Sequence, residues 1–116
     1  KQAKYRAAMA AYDKARLEYE QKVLEVFREA ADAVATYRHV REAAALKGAL
    51  CDAAREYVRL AHLQYRAGSI NYIDVLDAQR RYFDAQIGLS NAVRDEHLAL
   101  VGLYKALGGG WQTGAE

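Results

Sequence analysis

From Tyr5 to Tyr65 the chain places an apolar residue or tyrosine on two positions of almost every heptad. One position reads Tyr5, Tyr12, Tyr19, Val26, Ala33, Val40, Lys47, Ala54 and Ala61, and its partner reads Met9, Arg16, Val23, Ala30, Tyr37, Ala44, Cys51, Val58 and Tyr65. Only Arg16 and Lys47 break the series. A seam kept over nine heptads predicts a coiled-coil-like helix. Residues 3–64 would form a rod on the order of 90 Å long, which a compact globule of this size cannot enclose.

Composition narrows the alternatives. The 116 residues contain no proline, which excludes a loop-rich sandwich or a Pro-rich linker and leaves long uninterrupted helices. Seventeen Lys and Arg against fifteen Asp and Glu give a net charge of +2, too weak a field to point to nucleic acid. A single cysteine, Cys51, excludes an intramolecular disulfide framework and a cysteine-based zinc site. No stretch reaches the roughly 18 apolar residues of a membrane helix. The chain opens on Lys1 without a leader-like segment, so the expectation is a piece of a longer protein.

Gly48 is the one glycine inside the long helix, and the alanines around it predict a close helix crossing rather than a bend. The run Arg66-Ala67-Gly68-Ser69-Ile70-Asn71 predicts a turn over residues 66–71. There Gly68 can end one helix in the left-handed region, and Ser69 or Asn71 can cap the next. A second helix over residues 72–107 follows, with Val75, Tyr82, Leu89, Glu96 and Leu103 alternating with alanine at 78, 85, 92, 99 and 106. An alanine at every second seam position allows close interhelical approach, near the lower end of about 8–10 Å. The fold class is therefore all-α, a long antiparallel coiled-coil hairpin, with residues 108–116 as a Gly-rich return segment and tail. Each helix also carries a second apolar stripe: Leu17, Leu24, Phe27 and Val34, then Leu46, Leu50, Ala53, Tyr57 and Leu60 on the first, and Leu76, Phe83, Ile87, Leu98 and Val101 on the second. Two helices can bury one seam each, so these stripes call for further helices.

Few residues suggest chemistry. Asp74 and Asp77 lie three apart on one face near the start of the second helix. Carboxylates favour helix N-termini, and Asn71 with Asp74 has capping-box spacing, although the box normally takes Glu or Gln there. The other reading is a carboxylate patch at the hairpin apex that takes cations or a basic partner. Glu25, Glu29 and Asp32 read as a solvated face. His39, His62 and His97 have no metal-ligand spacing, no Glu-x-x-His is present, and no nucleophile or phosphate-loop motif occurs. No metal, cofactor or enzymatic activity is expected. Cys51 reads as a small buried seam residue. Tyr65, just before the turn, could point into whatever the apex encloses.

Tyr65-Arg66-Ala67-Gly68, then Tyr72-Ile73-Asp74-Val75-Leu76-Asp77-Ala78-Gln79-Arg80, and finally Leu103-Tyr104-Lys105-Ala106-Leu107-Gly108-Gly109-Gly110-Trp111 closely resemble the outer membrane efflux proteins. These are the TolC-like outer membrane factors, and the likeness is strongest to their lipoprotein, NodT-type branch. Tyr19 with Val23-Leu24 and Phe27-Arg28-Glu29-Ala30 resembles a stretch early in that family's long helix. The resemblance covers nearly the whole chain.

The resemblance implies a trimeric outer-membrane conduit of a Gram-negative bacterium, continued by an α-helical barrel through the periplasm and built from two repeats per protomer. Residues 1–107 would be the periplasmic hairpin of the second repeat. Asp74 and Asp77 match the aspartates of the narrow periplasmic aperture, and Tyr65 matches a tyrosine of its gate. Ile70 falls where the family carries a gate arginine, so this conduit would be held shut differently. Gly68, Ser69, Ile70 and Asn71 would meet the membrane fusion protein that couples the conduit to an inner-membrane pump. A free-standing coiled-coil hairpin that presents its apex to a partner is the other reading. A helical-bundle enzyme or metal carrier is a third, disfavoured by the missing ligand spacing.

Overall fold

The computed structural model describes residues 1–108 and consists of helix α1 (Gln2–Arg66) and helix α2 (Tyr72–Gly108). They run antiparallel as a rod of 99 × 25 × 15 Å. The expected helices over 3–64 and 72–107 are both present, each a little longer than the pattern alone required. The Gly-rich tail beyond Gly108, with Trp111, lies outside the described residues.

Pairing follows the α2 seam throughout. All ten of its seam positions, from Val75 to Ala106, are buried or half-buried. On α1 the pairing starts only near Val23 and Ala30, because α2 ends beside them. Leu107 borders the same groove as Phe27, Ala30 and Val34. Below that level Ala44, Cys51 and Ala61 are buried and Ala33, Tyr37, Val40, Ala54 and Val58 half-buried. Above it residues 1–22 are exposed at every position. The upper heptads thus carry a seam that the described part of α2 does not reach.

The buried seam residues of α1 are small, as is Ala78 of α2, so the helices meet through short side chains rather than interlocking leucines. Gly48 belongs to this contact. A Cβ placed on it would meet Leu89 Cδ1 at 4.0 Å, and one on Gly88 would meet Lys47 Cδ at 3.9 Å. Both are ordinary van der Waals distances. The helix runs through Gly48 without a break, in line with a crossing. Since alanine fits without displacement, Gly48→Ala is expected to stabilise the hairpin by about 1 kcal/mol through helix propensity alone. Thermal unfolding checks this, and a lowered midpoint would show that the helices approach more closely than the pairing seen here.

The turn is built from backbone bonds. Ser69 N–H donates to the Gln64 carbonyl at 2.9 Å and Gly68 N–H to that of Tyr65 at 3.0 Å, the paired pattern of a Schellman cap. Gly68 carries φ of +79°, where glycine avoids the penalty of a Cβ. Ile70 then folds back onto the end of the seam, against Ala61, Val75 and Ala78. Val75 is the largest fully buried side chain. The hairpin is closed at its tip by an apolar knot.

Candidate functional site

The tip gathers the residues singled out in the sequence, in unequal surroundings. Tyr65 lies in the last turn of α1 with 44% of its surface exposed, and its ring packs against that of Tyr72 on the first turn of α2, centroids 5.3 Å apart and planes tilted by 58°. Gly68, Ser69 and Asn71 are exposed, whereas Ile70 is half-buried. Ile70 is thus an apolar plug in the turn.

Asp74 and Asp77 also differ. Asp74 is exposed in the first turn of α2, where its N–H donates to the Asn71 carbonyl at 3.1 Å. That is a main-chain bond of 3₁₀ type across the first turn rather than a bond to the Asn71 side chain, and the N-terminal dipole favours a carboxylate there. Asp77 is half-buried and faces two guanidinium groups of its own helix, Arg80 at 3.5 Å and Arg81 at 3.2 Å. Such partly exposed pairs contribute only tenths of a kcal/mol, but they offset the charge of Asp77 locally. Ile73 is 75% exposed and, with Leu76, Asp77 and Arg80, lines a shallow groove at the tip.

Above the tip the two flanks of the seam are unlike. On one, Arg55 Nε donates to the Tyr82 hydroxyl at 3.0 Å with its guanidinium 5.8 Å from the ring centre, and Gln79 Nε2 meets His62 Nε2 at 3.3 Å. The hydrogen bond to Tyr82 is the main cause that raises the proton affinity of Arg55. On the other flank lies an apolar groove of about 460 Å³, lined by Leu50, Ala53, Ala54, Tyr57, Ala85 and Gly88 with Lys47, Arg81 and Asp84 at its rim.

These contacts were not legible in advance, because they depend on the antiparallel register. The outer stripes were. Leu17, Leu24, Phe27, Leu46, Leu50, Tyr57, Leu60, Leu76, Phe83, Ile87, Leu98 and Val101 are all exposed, whereas Val34 is half-buried beside the end of α2. Glu25, Glu29 and Asp32 lie on the solvated surface and Cys51 is buried with a free thiol. His39 and His97 are exposed and His62 half-buried. Among the described residues, no group of three or more His, Cys, Asp or Glu is placed to hold a metal, and no helix is long and apolar enough to cross a membrane.

The chain belongs to the outer membrane efflux protein family, whose model matches residues 1–109. Among its relatives, outer membrane protein OprJ of Pseudomonas aeruginosa is 37% identical over 107 residues, covering 92% of this chain and 22% of OprJ. The solvent efflux pump outer membrane protein SrpC of Pseudomonas putida is 40% identical over 95 residues, 82% of this chain and 20% of SrpC. The antibiotic efflux pump outer membrane protein ArpC of Pseudomonas putida is 39% identical over 98 residues, 83% of this chain and 20% of ArpC. The chain thus spans about a fifth of the length of the curated relatives it matches. No solved structure matches it.

Proposed function

We propose that this hairpin is one element of the wall of a periplasmic α-helical conduit, the second-repeat hairpin of a trimeric efflux protein of the NodT-type branch in a Gram-negative outer membrane. The observation that carries the reading is the continuous exposure of apolar side chains beside a seam that is already paired, from Leu46 and Leu50 on α1 to Phe83 and Leu98 on α2. A helix pair in a wall meets neighbours on both sides, and stripes of this length bury that contact. Residues 1–107 would make up the periplasmic hairpin, and 108–116 the Gly-rich return segment and tail. The conduit has no catalytic role. It takes whatever a coupled inner-membrane pump delivers.

In this reading the tip is the periplasmic aperture. Copies of Asp74 and Asp77 around a three-fold axis form a carboxylate ring that binds cations and resists closure unless neutralised. Tyr65 belongs to the gate. Gly68, Ser69, Ile70 and Asn71 form the surface that a membrane fusion protein meets, with Ile70 contributing mainly from within. The apolar packing of Ile70 leaves the gate without a polar link at this position.

The test uses the full-length parent in planar bilayers. Asp74→Ala with Asp77→Ala is expected to weaken block by multivalent cations by about tenfold or more, equivalent to losing roughly 1.4 kcal/mol of cation binding. Of the single changes, Asp74→Ala has the larger effect, because Arg80 and Arg81 already offset Asp77. Unchanged block removes these carboxylates from the aperture. A parent that forms no channel favours the free-standing hairpin instead.

A further inference from the structure

We infer that Tyr72 is the residue that positions Tyr65 at the tip, so that the gate element is an aromatic pair within one chain rather than a single tyrosine. The inference rests on the reading of Tyr65 as a gate residue. A tyrosine on the last turn of a helix, with 44% of its surface free, has several rotamers open to it, and a gate contact requires one of them. Tyr72 supplies the selection. Its ring lies 5.3 Å from that of Tyr65 at 58°, the tilted geometry in which a positive ring edge meets a negative face.

The pair is not part of the hairpin core, since Tyr72 is itself 50% exposed and the apolar knot is made by Ala61, Val75, Ala78, Val58 and Ile70. Two large rings held together in solvent add little burial, but they fix the direction of both. What brings them together is also independent of neighbouring chains. The two backbone bonds of the turn, Gly68 in the left-handed region and the inserted Ile70 set the spacing between the last turn of α1 and the first turn of α2. When the hairpin tilts or shifts as a body, Tyr65 keeps its orientation relative to Asp74, which stands two residues beyond Tyr72. A ring contact of this kind biases a two-state equilibrium by roughly 2- to 10-fold, enough to matter where open and closed states are finely balanced.

The test is a double-substitution cycle in the full-length parent, reading the open fraction of single channels in planar bilayers without any added partner protein. Tyr65→Ala and Tyr72→Ala are each expected to raise that fraction by about 2- to 10-fold, the double variant no more than either alone, and Tyr72→Phe to behave as the parent. Tyr72→Leu keeps bulk without the ring quadrupole and is expected to lie in between. Thermal midpoints measured alongside are expected to stay close to the parent, separating loss of orientation from loss of fold. If Tyr65→Ala opens the channel and Tyr72→Ala does not, or if the two effects multiply in the double variant, the positioning role is overturned. If neither single change alters the open fraction while both proteins stay folded, the gate reading of Tyr65 falls as well.

Discussion

A Val75→Asp substitution is expected to unzip the lower end of the hairpin. Val75 has no exposed surface and stands between Ala61 and Ala78, with Val58 and Ile70 packed around it. Removing the apolar side chain forfeits about 1.5–3 kcal/mol. An unpaired carboxylate in the same place adds a desolvation cost of several kcal/mol more. Their sum approaches the roughly 5–15 kcal/mol that holds a typical domain, in a hairpin with few buried side chains to share the load. Val75→Ala, which leaves only a small cavity, is expected to cost about 2 kcal/mol. Amide hydrogen exchange distinguishes the cases. In the Asp variant the amides around the turn and the flanking helix ends lose protection while the middle of the paired region keeps it. Equal protection in both variants would show that the knot beneath Ile70 does not hold the tip together.

The second large effect concerns the chain on its own, which is expected to self-associate. Leu46 is 73% exposed, Phe83 61% and Leu98 62%, and covering one such side chain contributes about 1.5–3 kcal/mol. Summed along the stripes, this exceeds the roughly 4–15 kcal/mol of freedom lost on association. Sedimentation at tens of micromolar, a working concentration of about that order for association in the micromolar range, is expected to show oligomers with helicity that rises with concentration. Leu50→Lys with Phe83→Lys, placed on the two helices, shifts the chain toward monomer. A fully helical monomer at high concentration would contradict packing on both flanks.

Much of this architecture could be read from residue order. The α2 seam is the clearest case, because an alanine at every second seam position leaves only one face on which a partner fits, and each of those alanines is buried or half-buried. Gly68 is another, since a helix that must stop and reverse needs a residue at ease with positive φ. The α1 seam shows where such reading ends. Tyr5, Met9, Tyr12 and Tyr19 continue the heptad pattern and are nevertheless exposed. Periodicity states which face is apolar, not which chain covers it. Val26 and Tyr65 are exposed on the same seam, one near the end of the paired region and the other at the turn.

The site was legible in outline only. Asp74 and Asp77 share a helix face, yet Arg80 and Arg81 make their surroundings unequal. That difference was within reach, because spacings of three and four along a helix place opposite charges side by side. The Tyr65–Tyr72 contact, the Arg55–Tyr82 bond and the approach of Gln79 to His62 join residues 7 to 27 positions apart. They appear only once the turn has set how the two helices align.

The unequal legs of the hairpin have a geometric consequence of their own. Among the described residues, the number of helices in a cross-section falls from two to one near Ala30. A cylinder built from the described helices alone loses a stave at that height. It must there narrow, admit staves from elsewhere, or leave gaps in its side, and the bare tyrosines from Tyr5 to Tyr19 mark the edge along which a replacement stave would lie.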